Sequence, residues 1–574
     1  MRGWFGRRWC SHPSSGLRPP SPLALRREKE GAAHGCQRER ASFCGLNAAL
    51  RLPRGRWFAV LLAAFLLNTE HCLLNTSLAA AEARPNLLFI IFDDWGWRDA
   101  GAYGSTWVKT PNFDRVAREG VLFKNAFTSN PKCSPCRASI LTGRNTWQLK
   151  EAVSHGGYFP AGFEVYPDLL EKAGYNVGLT GKGWGPGDFK TLANRTRNPA
   201  GPSFDKYTQE PVASGIGRND YAKNFESFLE QREKAKPFCF WMGFAEPHRA
   251  YEWNSGVRLG KKPEDVKVPA YLPDTDIVRR DLLDYSVEVE YADAQIGKAL
   301  KVLEAAGQLE STLIVVTSDH GMPFPYVKGQ IHEDGFHLPL AMRWGKAIKP
   351  GRVVEDFINV RDFAPTWMEL AGLKPHPQMT GKSLVNILRS DKSGWVENRE
   401  TMLAGKERHD IGRPNDLGYP VRALRTKEFL YVHNFHPDRW PVGNPETDFG
   451  NCDPGPSKEV LKLLGGHFYD LCFGKRQPDE LYDLRRDPQA VNNLAGDLAH
   501  REKMEDLRYR MMQMLREEQD PRALGDAAIF DTYKYVGARN KGYDTWLKAQ
   551  EERLAAELKA KLEAPPAKKA GKKK

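Results

Sequence analysis

Cysteine is scarce in this chain, nine residues in 574, and neither a second Cys-x-x-Cys nor a nearby His-x-His accompanies the pair Cys133 and Cys136. That scarcity excludes a disulfide mini-protein and leaves a zinc cluster without its remaining ligands. An internal repeat and a collagen-like period are also missing, and with 41% hydrophobic and 27% charged residues the chain is neither fibrous nor disordered. Its length predicts about two to four domains. Long apolar runs are lacking as well. The run Trp57–Leu67 falls short of the about 20 residues that a membrane helix needs.

The body of the chain also lacks an excess of charge of either sign. The formal net charge is +12, but residues 1–81 carry twelve Lys and Arg against four acids, and Lys568 to Lys574 adds five lysines and no acid. Residues 82–567 are therefore one charge short of neutral, which argues against a basic nucleic-acid groove.

The two ends read as segments outside the fold. Arg51, Arg54 and Arg56 precede the apolar run, and Ser77 to Glu82 offers small residues after it, the pattern of a signal peptide with an uncleaved anchor as the alternative. Export to a periplasmic, secreted or lysosome-like compartment is the expectation. The C-terminal Lys-rich stretch reads as a solvated tail. Without the leader the cysteines reduce to Cys133, Cys136, Cys239, Cys452 and Cys472, an odd number. At least one is free, modified or paired elsewhere.

Asn86–Phe92 is a continuous apolar run that stops at Asp93-Asp94, as a strand buried on both faces does. Helical and strand patterns then alternate: helices at 110–120, 165–173, 221–234 and about 281–306, strands at 175–180, 238–244 and 312–317. This predicts an α/β fold, a mostly parallel sheet flanked by helices, over residues 82–395. Asp93-Asp94, Lys182, Glu246-Pro-His248 and Asp319-His320 each follow an apolar strand, where ligands of such sheets gather. Residues 396–520 read as a smaller α+β domain with antiparallel strands around 419–433 and 480–484, and residues 521–574 as a helical, basic tail.

Adjacent carboxylates at a strand end repel unless a cation relieves them, and Asp93, Asp94 and Asp319 supply hard oxygen donors suited to Ca²⁺ or Mg²⁺. His320 adds nitrogen and keeps Mn²⁺ or Zn²⁺ open. By itself an Asp pair reads equally well as a helix cap or turn. The stretch Cys133-Ser-Pro-Cys-Arg137 admits a redox or zinc reading from Cys-x-x-Cys alone, but neither explains Pro135 with Arg137.

Cys-x-Pro-x-Arg followed by Thr142-Gly143 resembles the signature of the sulfatase family, in which the first cysteine is converted to Cα-formylglycine. The resemblance covers most of residues 85–500. In the stretches from Phe127 to Ser139, Glu246 to Arg249, Thr317 to Pro325, Tyr419 to Thr426 and Glu480 to Pro488 it looks most like the heparan N-sulfatase (sulfamidase) branch.

This resemblance implies an alkaline phosphatase-like fold and a mechanism. The aldehyde made from Cys133 hydrates to a gem-diol; one hydroxyl attacks sulfur, and the other lets the resulting ester collapse and release sulfate. It implies Ca²⁺, with Mg²⁺ or Mn²⁺ as alternatives, held by Asp93, Asp94, residue 133, Asp319 and His320. Arg137 matches the position beside the nucleophile, Lys182 and Lys328 match sulfate contacts, and His248 matches the general acid for the leaving atom. A sulfated carbohydrate, favoured as N-sulfoglucosamine, and a formylglycine-generating maturation enzyme are the implied partners, and no nucleic acid is.

Two departures stand out. The Asp-Asn pair of the sulfamidase metal site is here Asp319-His320, and the family's Lys-x-His is here Lys182-Gly-Trp184, without its histidine. His155 is the candidate substitute. His409, Arg413 and Arg422 lie where the smaller domain would reach a sugar ring or carboxylate. Cys136 stands where serine is common in the family, and Cys452 and Cys472 are candidates for a disulfide. Phosphodiester or phosphonate hydrolysis on a related fold, and an inactive polyanion-binding relative, are the competing functions.

Overall fold

The computed structural model describes residues 84–540 and 542–563. The expected leader with its apolar run and the expected lysine-rich tail lie outside the described residues. No helix among the described residues is long and apolar enough to cross a membrane.

Strand β1 is Asn86–Phe92, the expected buried run. Its side chains alternate between two cores: Leu88, Ile90 and Phe92 enter one, Leu87, Phe89 and Ile91 the other. Both faces are therefore covered, which is why the run shows no polar alternation. The other strands of this sheet are β2 (Val121–Phe127), β3 (Asn176–Gly181), β4 (Phe238–Gly243), β5 (Thr312–Ser318), β6 (His337–Leu338), β7 (Leu340–Arg343) and β8 (Arg352–Asn359). Their order is β3-β4-β1-β5-β7-β2-β6, with β8 paired to β2.

Strands β3, β4, β1 and β5 are parallel, so their carboxyl ends share one rim. The sheet as a whole is mixed, because β7 pairs antiparallel with both β5 and β2. The short runs either side of Pro339 carry too few residues to announce strands, and they account for this difference from the expected mostly parallel sheet. The helix expected from about 281 spans Asp276–Ala305, starting earlier because the Thr275 side chain accepts a hydrogen bond from Val278 N–H and caps it.

A second sheet, β12-β11-β10-β9, is antiparallel throughout, with β9 at Thr401–Lys406, β10 at Val421–Thr426, β11 at Phe429–Asn434 and β12 at Asp479–Asp483. One face (Ala404, Val421, Ala423, Leu430, Val432) packs with Phe127, Phe336 and Phe357 of the first sheet's region. The other (Leu403, Leu424, Tyr431, Leu481) receives Leu507, Met511 and Leu515 of the helix Arg501–Glu517. This packing fixes the β9–β10 connection over the rim of the first sheet. Cys452 and Cys472 are not bonded to each other: all five described cysteines are free and buried, and the two thiols face the carbonyls of Asp453 and Tyr271 respectively.

Candidate active site

Register brings the first chemical groups together. Phe92 pairs with Ser318, so Asp93 and Asp319 leave β1 and β5 side by side. Asp94 takes φ 77, rare for a residue with a side chain, and its N–H donates to Asp319 Oδ1 at 3.2 Å. Gly181, with φ +73, ends β3 beside Gly243 of β4; a Cβ on Gly243 would lie 1.9 Å from the Lys182 carbonyl oxygen. The two glycines let Lys182 turn inward and reach Asp93 Oδ2.

The helix Cys133–Thr142 is buried along its whole length and begins at Cys133. Residue 133 thus sits at the positive end of a helix, in a position that favours an anion. Arg137, one turn on, is fully buried. Its Nε donates to Asp319 Oδ2 at 2.9 Å, its Nη1 to the Lys182 carbonyl at 2.7 Å, and its Nη2 lies 3.6 Å from Asp93 Oδ1.

Donor atoms of Asp93, Asp94, Cys133 and His320 lie within 4.8 Å of one another. Asp93 Oδ1 and Asp94 Oδ1 are buried without a hydrogen-bond partner, although His320 Nε2 stands 3.0 Å from the latter. Two orphaned carboxylate oxygens beside an imidazole and the Cys133 thiol suit a divalent cation. Asp319 borders this group, with one oxygen held by Arg137 and the other 3.6 Å from His320 Nε2.

The electrostatics are those of an anion pocket. Burial pushes the Asp93 carboxyl up, but Lys182, His248, Arg137 and Lys328 together outweigh it and hold the group well below the usual range. Asp94 is likewise lowered against burial, by Lys328 and the histidines. Asp319 goes the other way: burial, with Asp93 adding repulsion, raises it to about 7 despite His320 and Arg137. For Cys133, burial and Asp93 oppose ionisation, yet Lys182, His320 and a hydrogen bond from His155 bring the thiol well below its ordinary value.

Lys328 is buried and bridges two carboxylates, at 2.6 Å from Asp94 Oδ2 and 2.7 Å from Asp453 Oδ2. His248 follows β4; its Nδ1 meets the Arg249 carbonyl at 2.6 Å, and among the described residues Nε2 makes no hydrogen bond. His248, Asp94 and Asp453 form a second group with donor atoms within 4.8 Å.

His155 lies within hydrogen-bonding reach of the Cys133 thiol. Its Nδ1 pairs with Asp410 Oδ1 at 2.7 Å, and Asp410 in turn lies 3.6 Å from Lys132 Nζ. Trp184, where the family's Lys-x-His has histidine, is buried, and its indole N–H donates to the Ser134 carbonyl at 3.0 Å. The indole thus braces the first turn of the helix Cys133–Thr142.

The three residues expected to bind sugar divide. His409 is buried at the site, its ring 5.9 Å from that of His155 and both nitrogens without a hydrogen bond. Arg413 and Arg422 do not face the pocket and correct the expectation. Arg413 is buried and donates to the carbonyls of Trp440, Leu417 and Pro441. Arg422 is fully buried, pairing with Asp520 at 2.6 Å and Glu407 at 2.8 Å, and tying β10 to the segment before Pro521. Their guanidinium groups are occupied by the fold. Sequence patterns missed Lys132, Asp410 and Asp453; only the neighbouring His409 and Cys452 flagged their loops.

A model of the family described as Sulfatase matches residues 85–373, and one described as N-sulphoglucosamine sulphohydrolase, C-terminal, matches residues 319–437. Human N-sulphoglucosamine sulphohydrolase is 29% identical over 505 residues, covering 78% of this chain and 94% of that protein. An ulvan-active sulfatase of Formosa agariphila is 26% identical, covering 80% of this chain and 79% of that one. Among solved structures, one in complex with its substrate D-glucosamine-2-N,6-O-disulfate superposes with a TM-score of 0.56 at 21% identity, covering 76% of this chain and 98% of that one. A phosphonate monoester hydrolase of Agrobacterium radiobacter superposes with a TM-score of 0.55 at 21% identity, covering 76% and 97%. The strand-end carboxylates, the buried Cys-x-Pro-x-Arg helix and the match over residues 85–373 agree, and the chain belongs to the sulfatase family.

Proposed function

We propose that the protein is an exported hydrolase that removes sulfate from N-sulfoglucosamine units of heparan-type carbohydrate, using formylglycine made from Cys133 and a divalent cation, Ca²⁺ favoured over Mg²⁺ or Mn²⁺. One observation carries this reading: residue 133 opens a buried helix between two orphaned carboxylate oxygens and the cations Arg137, Lys182 and Lys328. The match to the sulphohydrolase C-terminal model favours the N-sulfated substrate within that class.

Asp93, Asp94, Asp319 and His320 would hold the cation, which supplies Lewis acidity at the sulfate and at residue 133. Arg137 orients Asp319 and Asp93 and screens their charge. Lys182 and Lys328 neutralise the sulfate oxygens, interactions strengthened by a water-poor pocket. His248, with Nε2 free, donates a proton to the leaving nitrogen. His155 accepts one at residue 133. A maturation enzyme must act on Cys133 before the helix is buried.

Two measurements test the reading. Mass spectrometry of the peptide bearing residue 133, in protein from its native host, should find it about 18 Da lighter than with cysteine. Turnover should then favour N-sulfoglucosamine over an aryl sulfate and a phosphate diester. An intact thiol there, or a preference for the phosphate diester, would defeat it.

A further inference from the structure

Asp453 is a carboxylate inside a pocket built for an anion, and the general sulfate chemistry gives it no role. Its side chain is 21% exposed, whereas its partner Lys328 is 4% exposed. It therefore faces the open side of the site. Lys328 shares one positive charge between Asp453 and Asp94, and Asp453 lies with His248 in a group whose donor atoms are within 4.8 Å.

The position is held firmly. Arg249, next to His248, makes two 2.8 Å bonds to Asp281, and Asp281 Oδ2 accepts from Ser457 Oγ at 2.6 Å and Ser457 N–H at 3.1 Å. Gly455 passes so close to that guanidinium that a Cβ would lie 2.5 Å from Arg249 Nη1. The loop of the general acid and the loop of Asp453 are thereby clamped to one buried carboxylate. Residue 453 also lies beyond both matched stretches, 85–373 and 319–437, so the feature belongs to a segment that the family models do not describe.

We propose that Asp453 selects the leaving group: it favours an amine and disfavours a phenol or a neighbouring anionic substituent. The inference rests on the sulfatase reading and sharpens its substrate. The leaving atom must meet His248 Nε2, which places it beside Asp453. As sulfur bonds to the oxygen at residue 133, the nitrogen–sulfur bond breaks and its electron pair stays on nitrogen. Nitrogen takes the proton from His248, leaving a neutral imidazole and a free amine. Asp453 accepts an N–H hydrogen bond from that amine and pairs with the ammonium formed when solvent protonates it. Once sulfate engages Lys328, Lys132 remains as a cationic neighbour of Asp453, and an ammonium would replace the direct pairing that Lys328 gave it. An aryl oxygen offers at most one donor and no positive charge, and a second sulfate in that place is repelled.

The test compares Asp453→Asn and Asp453→Glu with wild type, using ratios within each protein so that loss of folded material cancels. Two ratios are read: kcat/KM for N-sulfoglucosamine over an aryl sulfate, and inhibition by glucosamine over N-acetylglucosamine. Wild type should favour the first member of each pair. D453N should lower both ratios at least about tenfold, equivalent to about 1.4 kcal/mol, and D453E should keep part of the preference. Unchanged ratios in D453N, with wild type active on N-sulfoglucosamine, overturn the proposal and leave the sulfatase reading standing. If wild type desulfates nothing, that reading fails, and the glucosamine ratio alone decides whether Asp453 recognises an amine.

Discussion

His155 Nδ1 and Asp410 Oδ1 lie 2.7 Å apart, joining the loop after the helix Cys133–Thr142 to the β9–β10 connection. Asp410 is the ionised partner: burial pushes its carboxyl up, but His155 and Lys132 bring it down to about 2. An acceptor on Nδ1 fixes that nitrogen as the donor and turns Nε2 toward residue 133, the orienting role a carboxylate plays beside any catalytic imidazole. His155→Ala should lower kcat by about 10²–10⁴, the range for a lost acid–base group, with little change in KM. Asp410→Asn, which offers Nδ1 a less suitable partner, should lower kcat by a smaller factor. Steady-state kinetics on both variants checks this, and an unchanged kcat in H155A would remove His155 from the mechanism.

Much of this site was legible because its groups follow strands. Asp93, Asp319, Lys182 and His248 each end or follow an apolar run, and a parallel arrangement sends such ends to one rim whatever the intervening chain does. The departure at Trp184 was legible too, since a missing histidine shows in a motif. Asp410 and Asp453 were not, because no periodicity marks an acid in an irregular connection, and their placement depends on how the second sheet packs against Phe127, Phe336 and Phe357. Arg413 and Arg422 depart from the sequence expectation for the converse reason. An arginine in a connection (Arg413) or a strand (Arg422) reads as surface or ligand-facing, and only tertiary structure reveals the carbonyls of Trp440 and Pro441 or the carboxylate of Asp520 waiting inside.

Removal of the cation should expose the repulsion between Asp93 and Asp94. Dialysis against a chelator is expected to abolish turnover and to lower the melting temperature, because a ligand bound only by the folded state stabilises it. Adding back Ca²⁺ should restore both. Asp94→Asn should weaken cation binding at least about tenfold while keeping the shape of the site. Titration calorimetry with the metal alone reads this directly, and equal affinity in D94N would take Asp94 out of the ligand set.

Arg422 is predicted to matter for stability and not for recognition. It is fully buried between Asp520 and Glu407, and the pairing raises its guanidinium above even its ordinary value against the pull of burial. Arg422→Ala leaves buried Asp520 without its cation, while Glu407 keeps its bidentate pair with Arg522, and breaking such a buried pair generally costs about 3–5 kcal/mol. The melting temperature should fall sharply, and whatever protein remains folded should keep the wild-type KM. A raised KM at unchanged stability would reinstate the substrate-binding role.

Asp99 supplies a pH signature of the fold that is separate from catalysis. Its carboxyl is buried, accepts a 3.0 Å hydrogen bond from Tyr285 Oη, and is raised from 3.8 to about 7, chiefly by burial, with Asp334 adding repulsion against the bond from Tyr285. The folded state therefore keeps this proton where the unfolded chain has released it. Between about pH 4 and 7 the unfolded state binds fewer protons, so the contribution of Asp99 is fully present below the lower value and is lost as pH rises, with a slope approaching about 1.4 kcal/mol per unit. Asp99→Asn can still accept from Tyr285 and has no proton to lose. The melting temperature of D99N relative to wild type should therefore climb steadily from about pH 4 to about pH 7 and level off above it. Measuring the difference between the two proteins cancels the other buried acids, such as Glu288, raised to about 9, and Asp293, raised to about 6, both mainly by burial. A difference that stays constant across this range would mean that Asp99 is ionised in the folded protein.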